Sequence, residues 1–191
     1  MNPKPSKILI TGGVRSGKSR YAVNRALNYA VPRVYLATAE TFDDGMRERI
    51  AKHQVERKSD FLTVEEPLDL AGRIENLEFQ PAVVLIDCLT VWVNNLIYHF
   101  GEKDLRIQKA IQDLMQQIEG SKLPVILVTN EIGLGVMPEN ALAHHYIDQL
   151  GTLNQSMASI CDEVILMITG IPQQLKGVGS RAYVDQPVTK Y

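Results

Sequence analysis

Five short, largely apolar runs, at Lys7–Thr11, Val34–Ala37, Val83–Asp87, Val125–Thr129 and Val164–Ile168, punctuate the chain. They do not alternate apolar with polar residues, which is how strands read when both faces of a sheet are covered. Between them the apolar residues recur every three or four positions. Ile107, Ala110, Ile111, Leu114, Met115 and Ile118 give an amphipathic helix over Asp104–Glu119, and Leu89, Val93, Leu96, Ile97 and Phe100 give another over Leu89–Phe100. Further helices are expected at Lys18–Tyr29, at Ala141–Ile160, and at Asp43–Arg57, where two acids open the segment and Met46, Ile50 and His53 follow at spacings of four and three. Strands separated by crossover helices imply an α/β fold with a mainly parallel central sheet between helical layers. No repeat or linker divides the chain, so residues 1–191 are expected to form one domain.

The first strand runs directly into Gly12-Gly13-Val14-Arg15-Ser16-Gly17-Lys18-Ser19, which spells G-x-x-x-x-G-K-S. Glycines at both ends let a backbone wrap closely around a polyphosphate, and successive N–H groups at the start of the following helix point at its oxygens. Lys18 adds a positive charge near the β- and γ-phosphates, and Ser19 offers a hydroxyl to an accompanying Mg2+. Strand before and helix after separate this loop from a chance glycine turn and make the expected fold that of a P-loop NTPase. Asp87, at the end of the apolar run 83–87, is the natural second Mg2+ ligand, directly or through water. The alternative for Asp87 is a cap on the helix that begins at Leu89. Val125–Thr129 empties into Asn130, Glu131 and a loop with two glycines and a proline, longer than a strand-to-helix connection needs.

Composition narrows the partners. A net charge of −2, with no basic stripe, gives no sign of a nucleic acid or an anionic membrane surface. No apolar stretch approaches the ~20 residues that span a bilayer. With the polar N-terminal residues and two isolated cysteines, Cys88 and Cys161, this leads to the expectation of a soluble cytoplasmic protein with reduced core thiols. His99, His144 and His145 have no partner set with metal-ligand spacing.

Several segments together resemble the bifunctional adenosylcobinamide kinase / adenosylcobinamide-phosphate guanylyltransferase family of cobalamin biosynthesis: residues 10–19, Tyr-Leu-Ala-Thr-Ala at 35–39, the Arg-Ile-x-x-His segment within 43–53, Leu-Ile-Asp-Cys-Leu-Thr at 85–90, Val-Thr-Asn-Glu-Ile-Gly-Leu-Gly at 128–135 and Gly-Ile-Pro at 170–172. The resemblance implies two reactions: phosphorylation of adenosylcobinamide by ATP or GTP, and transfer of GMP from GTP to adenosylcobinamide phosphate. It makes His53 the residue that carries the guanylyl group, a task suited to a neutral imidazole. On this reading, the helix bearing His53 moves between the two reactions.

The same resemblance places Ala37, Thr38, Ala39, Arg57 and Glu65 in the guanine nucleotide site; a solvated surface charge is the alternative for the last two. Lys58 stands where family members often have proline. The resemblance also implies a homotrimer, for which the helix carrying Trp92 is a candidate contact unless Trp92 belongs to the core. A kinase or ATPase with a single activity on the same scaffold is the alternative function.

Overall fold

The computed structural model describes residues 6–40, 60–135 and 138–177. Seven strands form one sheet: β1 (Lys7–Gly12), β2 (Arg33–Ala37), β3 (Leu62–Glu65), β4 (Val83–Asp87), β5 (Val125–Val128), β6 (Glu163–Ile168) and β7 (Ile171–Lys176), in the order β3-β2-β4-β5-β1-β6-β7. All neighbours are parallel except β6 and β7, which form an antiparallel edge. The described helices are α1 (Lys18–Ala26), α2 (Leu70–Glu75), α3 (Leu89–Phe100), α4 (Leu105–Gly120) and α5 (Ala141–Ile160), with a single 3-10 turn at Ile132–Leu134.

The five apolar runs are the five strands expected of them, and the reason is visible in the packing. Successive residues of a strand point to opposite faces. Leu9, Val84, Ile86, Val125 and Leu127 enter one core with Trp92, Leu96, Leu114 and Leu153. Their neighbours Ile8, Ile10, Val83, Leu85, Ile126 and Val128 enter the other core with Ala22 and Ala26 of α1. Both faces are dry, so both registers must be apolar. Trp92 is fully buried and its indole N–H donates to the Leu68 carbonyl at 2.8 Å. It is a core residue of this chain, which removes it as a contact between copies.

Three elements have no counterpart in the sequence expectations, and all are marginal. β3 lies at the sheet edge, with Leu62 half exposed. α2 is a six-residue helix capped by Asp69, whose carboxylate accepts from the Gly72 N–H. β7, Ile-Pro-Gln-Gln-Leu-Lys, is exposed throughout and pairs only because Thr169 and Gly170, both at positive φ, close a two-residue hairpin from β6. α1 ends at Ala26, three residues before Tyr29. The segment expected as a helix over 43–57, with His53, Arg57 and Lys58, lies outside the described residues.

Two lysines close the amino edge of the sheet. Buried Lys7 sends its ammonium to the carbonyls of Glu119 and Ser121 at the end of α4. Lys176 does the same for Ala158 and Ser159 at the end of α5. Terminal helix carbonyls lack partners within the helix and carry partial negative charge, so a cation satisfies both demands.

Candidate nucleotide site at the carboxyl edge of the sheet

The loop between β1 and α1 is built as its spelling requires. Gly12 has φ +143° and Gly17 φ +93°, while Arg15 turns the chain at φ +56°. A Cβ on Gly12 would lie 2.4 Å from the Met167 carbonyl oxygen of β6, closer than any side chain tolerates. Gly12→Ala is therefore expected to cost about 3 kcal/mol, from a rare backbone conformation and a backbone clash together. Urea unfolding measures it; an unchanged midpoint would mean that β6 yields freely. On the other side the Gly170 N–H donates to the Ser16 carbonyl at 2.9 Å, so the β6–β7 turn braces the loop.

The start of α1 differs from those of α2, α4 and α5. Asp69, Asp104 and Asn140 each accept a backbone N–H from the first turn of their helix. α1 begins at Gly17, with no capping side chain. Its first amides and the positive end of its dipole are left for an anion. Lys18 is buried beside them, its Nζ donating to the Gly13 carbonyl at 2.7 Å. Burial holds its pKa below the usual lysine value, with the nearby Cys88 and Asp87 opposing the shift. Ser19 is exposed on the same turn, as are Gly13, Val14 and Arg15 in the loop. Ser16 Oγ is buried and has no hydrogen-bond partner among the described residues.

Strand register brings the other expected residues to one level. Glu65 pairs with Ala37, Ala37 with Asp87, Asp87 with Val128, and Val128 with Ile10, one residue before Thr11. Asp87 accepts from the Tyr35 hydroxyl at 2.8 Å through Oδ2. The N-cap of α3 is Cys88, without a side-chain cap bond, so Asp87 does not cap that helix. Thr38 is fully buried, and its hydroxyl is spent on the backbone of Cys88. It accepts the Cys88 N–H at 2.8 Å and donates to the Cys88 carbonyl at 2.9 Å. The Thr38 carbonyl in turn accepts from Asn95 at 2.7 Å. Thr38 thus ties the end of β2 to the end of β4, with half-buried Ala37 and Ala39 on either side. Burial pushes the Cys88 thiol up to about 12, so it is a neutral packing group. Glu65 is exposed at the end of β3.

One constellation was not anticipated residue by residue. After β5 the Glu131 N–H donates to the Gly12 carbonyl at 3.1 Å, and Glu131 Oε1 accepts from the Thr11 hydroxyl at 2.6 Å and from Asn154 Nδ2 at 3.2 Å. Asn154 on α5 also accepts from Thr129 and donates to the Asn130 carbonyl. Thr90 extends the network by accepting the Asn130 N–H at 2.7 Å. The signal in the sequence is the polar Thr-Asn-Glu directly after an apolar strand; its partners lie on other elements and only the fold reveals them.

The remaining histidines do local work. His99 Nε2 sits 3.0 Å from both carboxylate oxygens of Glu40, and His144 and His145 each meet a backbone carbonyl, of Pro138 and Glu102. Among the described residues no group of three or more His, Cys, Asp or Glu side chains is arranged to hold a metal, and no helix is long and apolar enough to cross a membrane.

In an open α/β sheet, ligands bind beyond the carboxyl ends of the strands, and an uncapped helix start beside a buried lysine is a polyphosphate seat. The molecule is of the P-loop nucleotide-binding class. The same fold occurs in a protein from Pyrococcus horikoshii OT3 (TM-score 0.54, 8% identity, 91% of this chain and 87% of that one). It occurs also in an ATPase from the type III secretion system of pathogenic bacteria (TM-score 0.50, 14% identity, 88% and 56% covered). Within that class the chain belongs to the cobinamide kinase / cobinamide phosphate guanyltransferase family, whose model matches residues 8–175. It is 38% identical over 170 residues to the bifunctional adenosylcobalamin biosynthesis protein CobP of Pseudomonas aeruginosa, covering 88% of this chain and 96% of that protein. To the proteins named CobU in Salmonella typhimurium and Escherichia coli it is 38% and 37% identical over 181 residues, covering 88% of this chain and 99% of each.

Proposed function

We propose that the loop at 12–19 is a single nucleotide seat serving both reactions of this family. The chain is an adenosylcobinamide kinase and adenosylcobinamide-phosphate guanylyltransferase of cobalamin synthesis; a kinase with one activity is the less favoured reading. The observation that carries the shared seat is the uncapped start of α1 beside buried Lys18, a site for polyphosphate whichever phosphorus is attacked.

In the kinase reaction the aminopropanol hydroxyl of adenosylcobinamide attacks the γ-phosphorus of ATP or GTP, the β–γ bridging P–O bond breaks, and nucleoside diphosphate leaves. Little covalent chemistry falls to the protein: Lys18 and the loop amides position the phosphates and spread their charge. The orphaned Ser16 hydroxyl gains a partner when phosphate fills the loop. Asp87, with Oδ1 unengaged among the described residues, and exposed Ser19 are the hard-oxygen donors suited to Mg2+, which needs only one or two protein ligands beside phosphates and water. The ion supplies charge neutralisation on the phosphates.

In the second reaction a ring nitrogen of His53 attacks the α-phosphorus of GTP and pyrophosphate leaves. The phosphate oxygen of adenosylcobinamide phosphate then attacks the same phosphorus, frees His53 and yields adenosylcobinamide-GDP. Ala37, Ala39, Arg57 and Glu65 contribute to the guanine nucleotide site, with Thr38 shaping it through its clamp on Cys88.

The test is direct. Incubation with GTP labelled at the α-phosphorus should leave an acid-labile, base-stable label that maps to the peptide containing His53. Label on another residue, or none from a preparation that binds GTP, would overturn this assignment.

A further inference from the structure

Glu131 is held more firmly than any loop carboxylate needs to be. β5 runs between β1, which delivers the phosphate loop, and β4, which ends in Asp87, so the residues after β5 emerge between the phosphate seat and the expected metal ligand. Glu131 is the first residue beyond β5 that can carry charge, after neutral Thr129 and Asn130. Its backbone is tied to Gly12 and its Oε1 is fixed by Thr11 and Asn154; among the described residues, both side-chain bonds go to that one oxygen. Oε2 is left to act.

Beside it lies an open cleft of about 360 Å³ between the 3-10 turn and α5, lined by Asn130, Glu131, Gly133, Asp148, Asn154 and Gln155. That volume is at the small end of clefts that hold drug-sized ligands. It suits one polar arm of a large acceptor and not a whole macrocycle. Its amide and carboxylate side chains share the lining with Ile132, Ile147 and Leu150, a surface that pairs with hydroxyl and amide groups and with the short carbon chain that carries them.

We infer that this cleft takes the hydroxyl-bearing arm of the phosphoryl acceptor and that Glu131 is the general base of the kinase step. The inference rests on the kinase activity proposed above. Oε2 takes the proton as the acceptor oxygen forms its bond to the γ-phosphorus. The electron pair of the breaking P–O bond goes to the departing nucleoside diphosphate, and the carboxylic acid left behind returns its proton to water. A positioned base contributes typically about 10²–10⁴-fold to rate. The second reaction has no hydroxyl to deprotonate, since its acceptor is already a phosphate anion, so Glu131 has no task there.

The experiment uses Glu131→Gln, which keeps an Oε1 acceptor for Thr11 and Asn154 and removes only the base. With adenosylcobinamide as acceptor, kcat of phosphorylation should fall about 100-fold or more. Guanylyl-enzyme formation from GTP, and GMP transfer to adenosylcobinamide phosphate supplied ready-made, should stay within threefold of wild type. Should the glutamine variant fail to fold, Glu131→Asp keeps a carboxylate on a shorter arm and should lower the kinase rate selectively, again sparing guanylyl transfer. In a second arm, Gln155→Leu should raise KM for adenosylcobinamide and leave that for the nucleotide unchanged. A kinase rate within threefold of wild type in Glu131→Gln overturns the inference, and so does a loss shared equally by both reactions, which would make Glu131 a brace for the loop. Failure of the wild-type protein to phosphorylate adenosylcobinamide would instead refute the function on which the inference stands.

Discussion

Lys18→Ala should abolish phosphorylation and guanylyl transfer together, each by about 10³-fold or more, while leaving the protein folded. The magnitude follows from removing a preorganised charge from a partly dry site, where a single donor to the developing negative charge is worth about 10²–10³-fold and a full cation more. That both reactions fall follows from the geometry: Lys18 Nζ lies 2.7 Å from the Gly13 carbonyl, inside the loop that both reactions are proposed to share. Stability should move little in the free protein, because the alanine removes a buried ammonium that burial already disfavours. The difference should appear on adding nucleotide. Wild type gains about 2.7 kcal/mol when ligand stands at 100 times its Kd, and the variant should gain almost none at the same concentration. Thermal shifts with and without GTP, read beside both activity assays, test all three statements. A variant keeping either activity within tenfold of wild type would show that the two reactions do not share the seat.

How far the sequence carried this picture depends on how local each feature is. The central strands were legible because β1, β4 and β5 are dry on both faces and must be apolar at nearly every position. The phosphate loop was legible because its chemistry is written in one continuous stretch, with glycine demanded where a Cβ would strike Met167. β7 was not, because nothing in Ile-Pro-Gln-Gln-Leu-Lys is buried and its pairing is imposed by the turn at Thr169 and Gly170. Thr38 was expected in the nucleotide site, and the structure adds what no local pattern contains: its hydroxyl bridges to Cys88, 50 residues away. Glu131 makes the same point more strongly. Its partners Thr11 and Asn154 lie 120 and 23 positions distant, so the motif announced itself as polar and only the fold shows what the polarity holds.

His53→Ala should separate what Lys18→Ala joins. Guanylyl transfer should drop to background, a loss of at least about 10³-fold, because the covalent route splits one displacement into two and no other nucleophile replaces the imidazole. Phosphorylation of adenosylcobinamide should stay within a few-fold of wild type, and adenosylcobinamide phosphate should accumulate in a mixture that wild type converts to adenosylcobinamide-GDP. The reason lies in which phosphorus is attacked. At the γ-phosphorus the acceptor's own hydroxyl is the nucleophile and nucleoside diphosphate departs, so His53 is not needed. At the α-phosphorus pyrophosphate departs, and the loop that grips the β- and γ-phosphates then holds the leaving group. On the proposal of one shared seat, the same lysine and the same amides would stabilise two different departures, and the choice between them would pass to whatever attacks. Quantifying both products from one reaction of the His53→Ala variant, with ATP as phosphoryl donor and GTP as guanylyl donor, tests this division. Guanylyl transfer surviving in the variant would mean that adenosylcobinamide phosphate attacks GTP directly, and a kinase rate lost to the same extent would mean that the segment around His53 helps to hold the nucleotide in both reactions.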